Sequence, residues 1–143
     1  RNVPKSKALD VVAGYTNTND MSARDLGKVP TLPGMFDCFA AKAFDTSLPM
    51  GPALVLKDEV KDPHKLRLQV RVNGETVQDE STSQMVFKIP ETIEYIASLI
   101  TLEPGDIICT GTPGGSKGAL KAGDLVDVEI GDLGVLTSII ADE

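Results

Sequence analysis

Leu66-Arg67-Leu68-Gln69-Val70-Arg71-Val72-Asn73-Gly74-Glu75-Thr76-Val77-Gln78 is the stretch whose reading decides the fold. Leu66, Leu68, Val70 and Val72 alternate with Arg67, Gln69, Arg71 and Asn73, the period of a strand with one face buried. Asn73-Gly74 supplies the two positive-φ positions of a tight hairpin turn, and Glu75 to Gln78 is expected to return antiparallel. Working outward toward the C-terminus, Ile107–Thr110, Leu125–Ile130 and Val135–Ile140 read as further strands. They are separated by Glu-Pro-Gly-Asp, Ala-Gly-Asp and Gly-Asp-Leu-Gly turns. Toward the N-terminus, Val11–Tyr15 reads as strand. One good helix is expected: Pro90 suits a first helical position, Glu91 and Glu94 suit its dipole, and Ile93, Ile96, Ala97 and Ile100 form its apolar face. Pro104-Gly105 is expected to stop it. Gly27 to Pro52 carries Pro30, Pro33, Gly34 and Pro49 without sustained periodicity, and long structured loops of that kind often hold function.

The 143 residues suit one domain, and 41% apolar residues suffice for a single core. Aromatics are 4% with no tryptophan, so Val, Ile, Leu and Ala must fill that core. A formal net charge of -7 argues against a nucleic-acid partner, which calls for a basic face. No apolar run approaches the roughly 20 residues needed to span a bilayer, so a soluble protein with no membrane partner is expected. Two cysteines, Cys38 and Cys109, are too few for a disulfide scaffold or a Cys-based zinc site. No secretory leader is visible either, and a reducing, cytoplasmic compartment is expected. The chain opens at Arg1 with strand signal already at Val11, which leads us to expect part of a longer protein.

Charge is unevenly shared. Residues 1–72 hold 11 Lys/Arg and 8 Asp/Glu, whereas residues 73–143 hold 3 and 13. A solvated acidic flank accounts for most of this asymmetry. The sharper reading is an anion site in the first half, with Arg24 and Lys42 as candidates. Gly114-Gly115-Ser116-Lys117-Gly118 matches the G-x-S-x-G nucleophile pattern, but it lacks a strand directly before and a helix directly after it. It also inverts the Gly-Lys-Ser order of a phosphate loop. His64, the one histidine, lies in a charged Asp-Pro-His-Lys turn, so a serine hydrolase is not expected. Cys109 is expected in the core, while Cys38 has no neighbouring charge that would activate a thiol. Asn19-Asp20-Met21-Ser22-Ala23-Arg24-Asp25 is the informative segment. A carboxylate at a strand end can ligate a hard divalent ion, and an arginine one turn later can clamp a substrate carboxylate. Equally, it can be an Asp-capped short helix with an internal Arg–Asp pair.

Asp-Met-Ser-Ala-Arg-Asp at 20–25, Lys-Ala-Phe-Asp-Thr at 42–46 and Leu-Pro-Met-Gly-Pro at 48–52 resemble the fumarylacetoacetate hydrolase family. So do Val-Asn-Gly-Glu with Gln78, Thr-Ser-Gln-Met-Val-Phe at 82–87, Leu-Glu-Pro-Gly-Asp-Ile-Ile at 102–108 and Thr-Gly-Thr-Pro at 110–113. The resemblance runs in order along essentially the whole chain. It implies a β-rich α+β fold, a mixed β-sandwich roll with few short helices, forming one catalytic domain over residues 1–143 that is incomplete at its N-terminus. It also implies an enzyme acting on 2-oxo or β-diketo acids with Mg²⁺ or Mn²⁺, by hydrolytic C–C cleavage or by related decarboxylation or isomerisation.

Position by position, the resemblance puts the metal aspartate at Asp20 and the active-site lysine at Lys42. Arg24, Lys42, Thr46 and Thr112 would bind substrate. A chelated divalent ion stabilises an enolate, and Lys42 would add positive charge beside the developing oxyanion. The family's Glu-x-Glu metal ligands and its water-activating histidine and glutamate have no counterparts upstream of Asp20, where no glutamate occurs. His64 matches a structural turn of the family. Gly27 stands where many members carry a substrate-contacting glutamine, and Gly114-Gly115-Ser116 replaces a usual Gly-Val-Gly. The family habit and the sheet edges suggest a homodimer. A non-catalytic scaffold lacking the Glu-x-Glu ligands, or an anion-binding module built on Arg24, Lys42 and Thr112, is the alternative.

Overall fold

The computed structural model describes residues 1–114 and 118–142. Two antiparallel sheets carry the fold. Strands β1 (Gly14–Thr18) and β2 (Met50–Leu56) pair with each other. The second sheet has the order β4-β3-β5-β6, built from β3 (Arg67–Val72), β4 (Glu75–Ser81), β5 (Leu125–Ile130) and β6 (Val135–Ile139). Helices are few: α1 (Cys38–Lys42), α2 (Ile89–Leu99) and short 3₁₀ turns, the longest at Lys5–Val11. This is the β-rich α+β architecture expected from the sequence. No helix among the described residues is long and apolar enough to cross a membrane.

The deciding hairpin forms as its residues dictate. Asn73 and Gly74 take φ of 51° and 82°, as the tight turn requires, and β3 runs antiparallel to β4 with Val72 opposite Glu75. A register shift between Val70 and Arg71 lets β4 extend to Ser81, further than the expected Gln78. The alternation delivers Leu68 to the interior, and Val70 and Val72 pack against buried Val126, Val128 and Leu136. Burying side chains of this size stabilises by about 1.5–3 kcal/mol each. On the opposite face Arg71 pairs with Glu129 at 2.7 Å, and Arg67 with Asp79 across β3 and β4.

The helix begins as expected, with proline in its first turn and Ile93 and Ala97 buried. Its end differs: Ile100 is already extended (φ -127°, ψ 162°), ahead of Pro104-Gly105, and is exposed. Lys88 offers no side-chain cap, and the Ile89 N–H donates instead to His64 Nε2 at 3.1 Å. The 3₁₀ turn at 5–11 docks on α2. The Asn2 N–H donates to Ala97 O at 2.7 Å, the Lys5 N–H to Glu94 Oε1 at 2.8 Å, and the Lys5 ammonium pairs with Glu91. That pair holds the Glu91 carboxyl below its ordinary range.

Three expectations need correction. Val11 ends the 3₁₀ turn, and the first strand starts only at Gly14. Ile107–Thr110 is not a strand, because its backbone joins neither sheet among the described residues. Cys109, expected in the core, is therefore exposed, as is Ile107.

Asn17 bonds one sheet to the other. Asn17 on β1 is fully buried, and its amide donates to Val128 O at 3.3 Å and to Gly134 O at 2.7 Å. Much apolar surface nonetheless stays open: Leu54 and Leu56 on β2, Val86, Phe87 and Ile139 are all more than half exposed. The chain exposes 9648 Å², against about 7100 Å² for a folded monomer of its mass.

Candidate functional site

Residues 19–49 connect β1 to β2, and because those strands pair, the connection leaves and re-enters at one point. The Asn19 N–H donates to Pro49 O at 3.0 Å, the Met21 N–H to Ser47 O at 3.0 Å and the Ala23 N–H to Ala41 O at 2.9 Å. These bonds lay segment 19–23 along segment 41–49. Asp37 starts α1 by accepting from the Ala40 N–H at 3.0 Å, a cap that sets the short helix carrying Lys42 at its end. Buried Ser47 then donates to Lys42 O at 2.7 Å.

The outcome is an ion pair between the Lys42 ammonium and the Asp20 carboxylate, 22 residues apart in sequence. Both side chains stay partly open to solvent, so the pair adds little to stability. Thr46 sits nearby with φ of 62°, an unfavourable conformation for a β-branched residue and one that concentrates at functional sites. Arg24 is exposed and makes no side-chain hydrogen bond or ion pair among the described residues. Asp25 pairs instead with Lys28 at 2.5 Å, which holds the Asp25 carboxyl below its ordinary range. The alternative of a capped helix with an internal Arg–Asp pair therefore does not form here.

Thr112 lies on the segment after Cys109, whose Sγ is 3.9 Å from Thr18 Oγ1, two residues before Asp20. This brings the Thr112 segment past the end of β1. Thr112 Oγ1 accepts from Gln78 Nε2 at 2.7 Å. The sequence gives Gln78 no role; the signal that would have found it is a polar residue on the buried side of a strand. Asn17 and the Asp37-capped α1 were also missed, the latter although Asp37 directly precedes a short helix-forming run.

His64 is committed to structure. Its Nε2 accepts from the first turn of α2, and its backbone N–H donates to Asp62 Oδ1 at 3.0 Å. Lys65 first, and that N–H second, hold the Asp62 carboxyl low. Gly27 is explained sterically: a Cβ there would lie 2.5 Å from the Phe36 ring and 2.9 Å from Ala41 Cβ, so a glutamine has no room. Ser116, with Gly115 and Lys117, lies outside the described residues. Cys38 is exposed at the start of α1.

Divalent-ion chemistry needs several oxygen donors. Among the described residues no group of three His, Cys, Asp or Glu side chains converges to hold a metal. Asp20 is the carboxylate paired with Lys42, which already neutralises it. These residues do not fit Mg²⁺ or Mn²⁺ without further donors.

Residues 1–141 match the family described as fumarylacetoacetate (FAA) hydrolase C-terminal. Oxaloacetate tautomerase YisK of Bacillus subtilis is 44% identical over 144 residues, covering 96% of this chain and 46% of the relative. Among solved structures, 2-hydroxyhepta-2,4-diene-1,7-dioate isomerase from Mycobacterium marinum superposes with a TM-score of 0.87 at 38% identity, covering 99% of this chain and 52% of that one. Fumarylpyruvate hydrolase from Pseudomonas aeruginosa, in complex with Mn²⁺ and pyruvate, gives 0.89 at 33% identity, covering 99% and 60%. The chain thus spans about half the length of the relatives it matches.

Proposed function

The chain belongs to the fumarylacetoacetate hydrolase family, and from that premise we propose that it contributes the substrate-holding half of an enzyme that isomerises a short 2-oxo dicarboxylic acid, with oxaloacetate as the first candidate. The observation that carries this reading is the Lys42–Asp20 pair on the laced 19–49 connection. Keto–enol interconversion moves one proton on carbon and one on oxygen, and the difficulty lies in the negative charge on the enolate oxygen. A lysine ammonium held in place by a carboxylate keeps further N–H donors aimed at that point. Arg24 would hold a carboxylate of the substrate, with Thr112 and Thr46 donating hydrogen bonds.

The name of the B. subtilis relative, an oxaloacetate tautomerase, supports isomerisation over hydrolysis. Use of Mg²⁺ or Mn²⁺ is part of the proposal, with donors beyond Asp20 supplied from outside the described residues.

The test is spectrophotometric. Enolic oxaloacetate is mixed with the protein and Mn²⁺, and loss of the enol is followed alongside release of pyruvate. Accelerated loss without pyruvate supports the proposal. Pyruvate release would mean decarboxylation, cleavage of an acylpyruvate would mean hydrolysis, and none of these would favour the non-catalytic scaffold. We also propose a homodimer, with the exposed Leu54, Leu56 and Ile139 of the two sheets as the apolar surface it would cover. A monomer mass by light scattering at micromolar concentration would overturn that.

A further inference from the structure

We propose that Gln78 is a positioning residue that sets the polarity of the Thr112 hydroxyl, so that its proton is aimed outward as a donor to a carboxylate of the substrate. The inference rests on the reading of Thr112 as a substrate contact and adds to it a residue buried behind the site.

Gln78 lies on β4 and is buried at 9% exposure. Its Nε2 is 2.7 Å from Thr112 Oγ1 and also donates to the Pro113 carbonyl. A carbonyl oxygen can only accept, so the Pro113 contact fixes which end of the amide faces the loop. With the NH₂ end there, both of its protons are used, one on Pro113 O and one on Thr112 Oγ1. A threonine oxygen that accepts one hydrogen bond keeps its own proton free to donate elsewhere. Thr112 is exposed, so that proton faces open space where an anion can take it.

Gly111 and Gly114 on either side of Thr112 and Pro113 both take positive φ, 74° and 73°, a region in which glycine is permissive. Glu80, two residues along β4, backs the loop at Gly114: a Cβ there would come within 3.1 Å of Glu80 Oε1. Gln84 Nε2 donates to Glu80 Oε2 at 2.7 Å. Thus β4 supports the turn, and among the described residues Gln78 is its one side chain bonded to Thr112.

The test compares Thr112→Val, Gln78→Met and their double variant, reading KM and kcat for oxaloacetate and the Kd for oxalate by calorimetry. A hydrogen bond to a charged group is worth about 1.5–3 kcal/mol, so Thr112→Val should raise KM and Kd by roughly 10- to 100-fold. Gln78→Met keeps the shape and removes both donors; it should raise both constants at least fivefold with kcat within about twofold. The double variant should be no worse than Thr112→Val alone, because Gln78 acts only through that hydroxyl. Should Gln78→Met fail to fold, Gln78→Glu is read instead: its carboxylate takes the Thr112 proton inward, with the same loss of oxalate binding. If Thr112→Val weakens binding and the Gln78 variants do not, or if the losses multiply in the double variant, the positioning role is wrong while the Thr112 contact stands. If Thr112→Val itself leaves KM and Kd unchanged, the site reading fails and the inference with it.

Discussion

Lys42→Ala is expected to lower turnover of the 2-oxo acid by about 10²- to 10³-fold, the usual cost of removing one preorganised group that stabilises an oxyanion. The fold should survive. Lys42 ends α1, its side chain is partly solvent-exposed, and its one ionic partner is the equally open Asp20. A pair of that kind contributes ~0–1 kcal/mol. The hydrogen bond that fixes this end of α1 runs from Ser47 Oγ to the Lys42 backbone carbonyl and is untouched by truncating the side chain. Activity and stability should therefore separate cleanly, with kcat collapsing and the unfolding midpoint nearly unmoved. Lys42→Arg restores charge but spreads it over a planar fork, and is expected to recover little turnover. Steady-state kinetics beside denaturant unfolding reads both quantities. Lys42→Ala with a third or more of the original kcat would remove Lys42 from the chemistry.

How much of this was legible in the sequence follows from which interactions are local. The β3–β4 hairpin was readable because its alternation and its Asn73-Gly74 turn are both short-range signals, and β5 and β6 because turn residues bracket them. Ile107–Thr110 misled because an apolar run becomes a strand only when another backbone pairs with it, and pairing is not written in the run itself. Residue chemistry pointed to Asp20, Arg24 and Lys42 as candidates, and the resemblance gave them their roles and added Thr46 and Thr112. Their juxtaposition is non-local: Asp20 meets Lys42 because β1 and β2 pair and pin both ends of residues 19–49. Asn17 lay beyond a reading by pattern, since it acts on partners more than 100 residues away.

Asn17→Ala carries the largest expected cost in stability. Asn17 is the largest side chain that is fully buried, and its amide bridges β1 to Val128 O in β5 and to Gly134 O in the β5–β6 turn. Truncation deletes both hydrogen bonds, leaves a cavity and takes the donor away from two carbonyls. At about 1 kcal/mol per bond plus desolvation and void terms, the loss comes to roughly 2–4 kcal/mol. The Asn17 Oδ1 has no partner among the described residues, so its removal offsets part of that cost. Asn17→Asp should be worse than Asn17→Ala, because it keeps the volume and turns a carboxylate oxygen toward two carbonyl oxygens in a buried place. Thermal unfolding of the three proteins checks the order, and an Asn17→Ala variant within 1 kcal/mol of the parent would mean that something else holds the sheets together. The effect should reach the site. Asp20 follows Asn17 by three residues, and the Gly134 backbone sits so close to β2 that a Cβ there would lie 2.8 Å from Pro52 Cγ. Loosening this bridge frees the common root of the 19–49 connection, so activity should fall with temperature well before the β3–β5–β6 core unfolds.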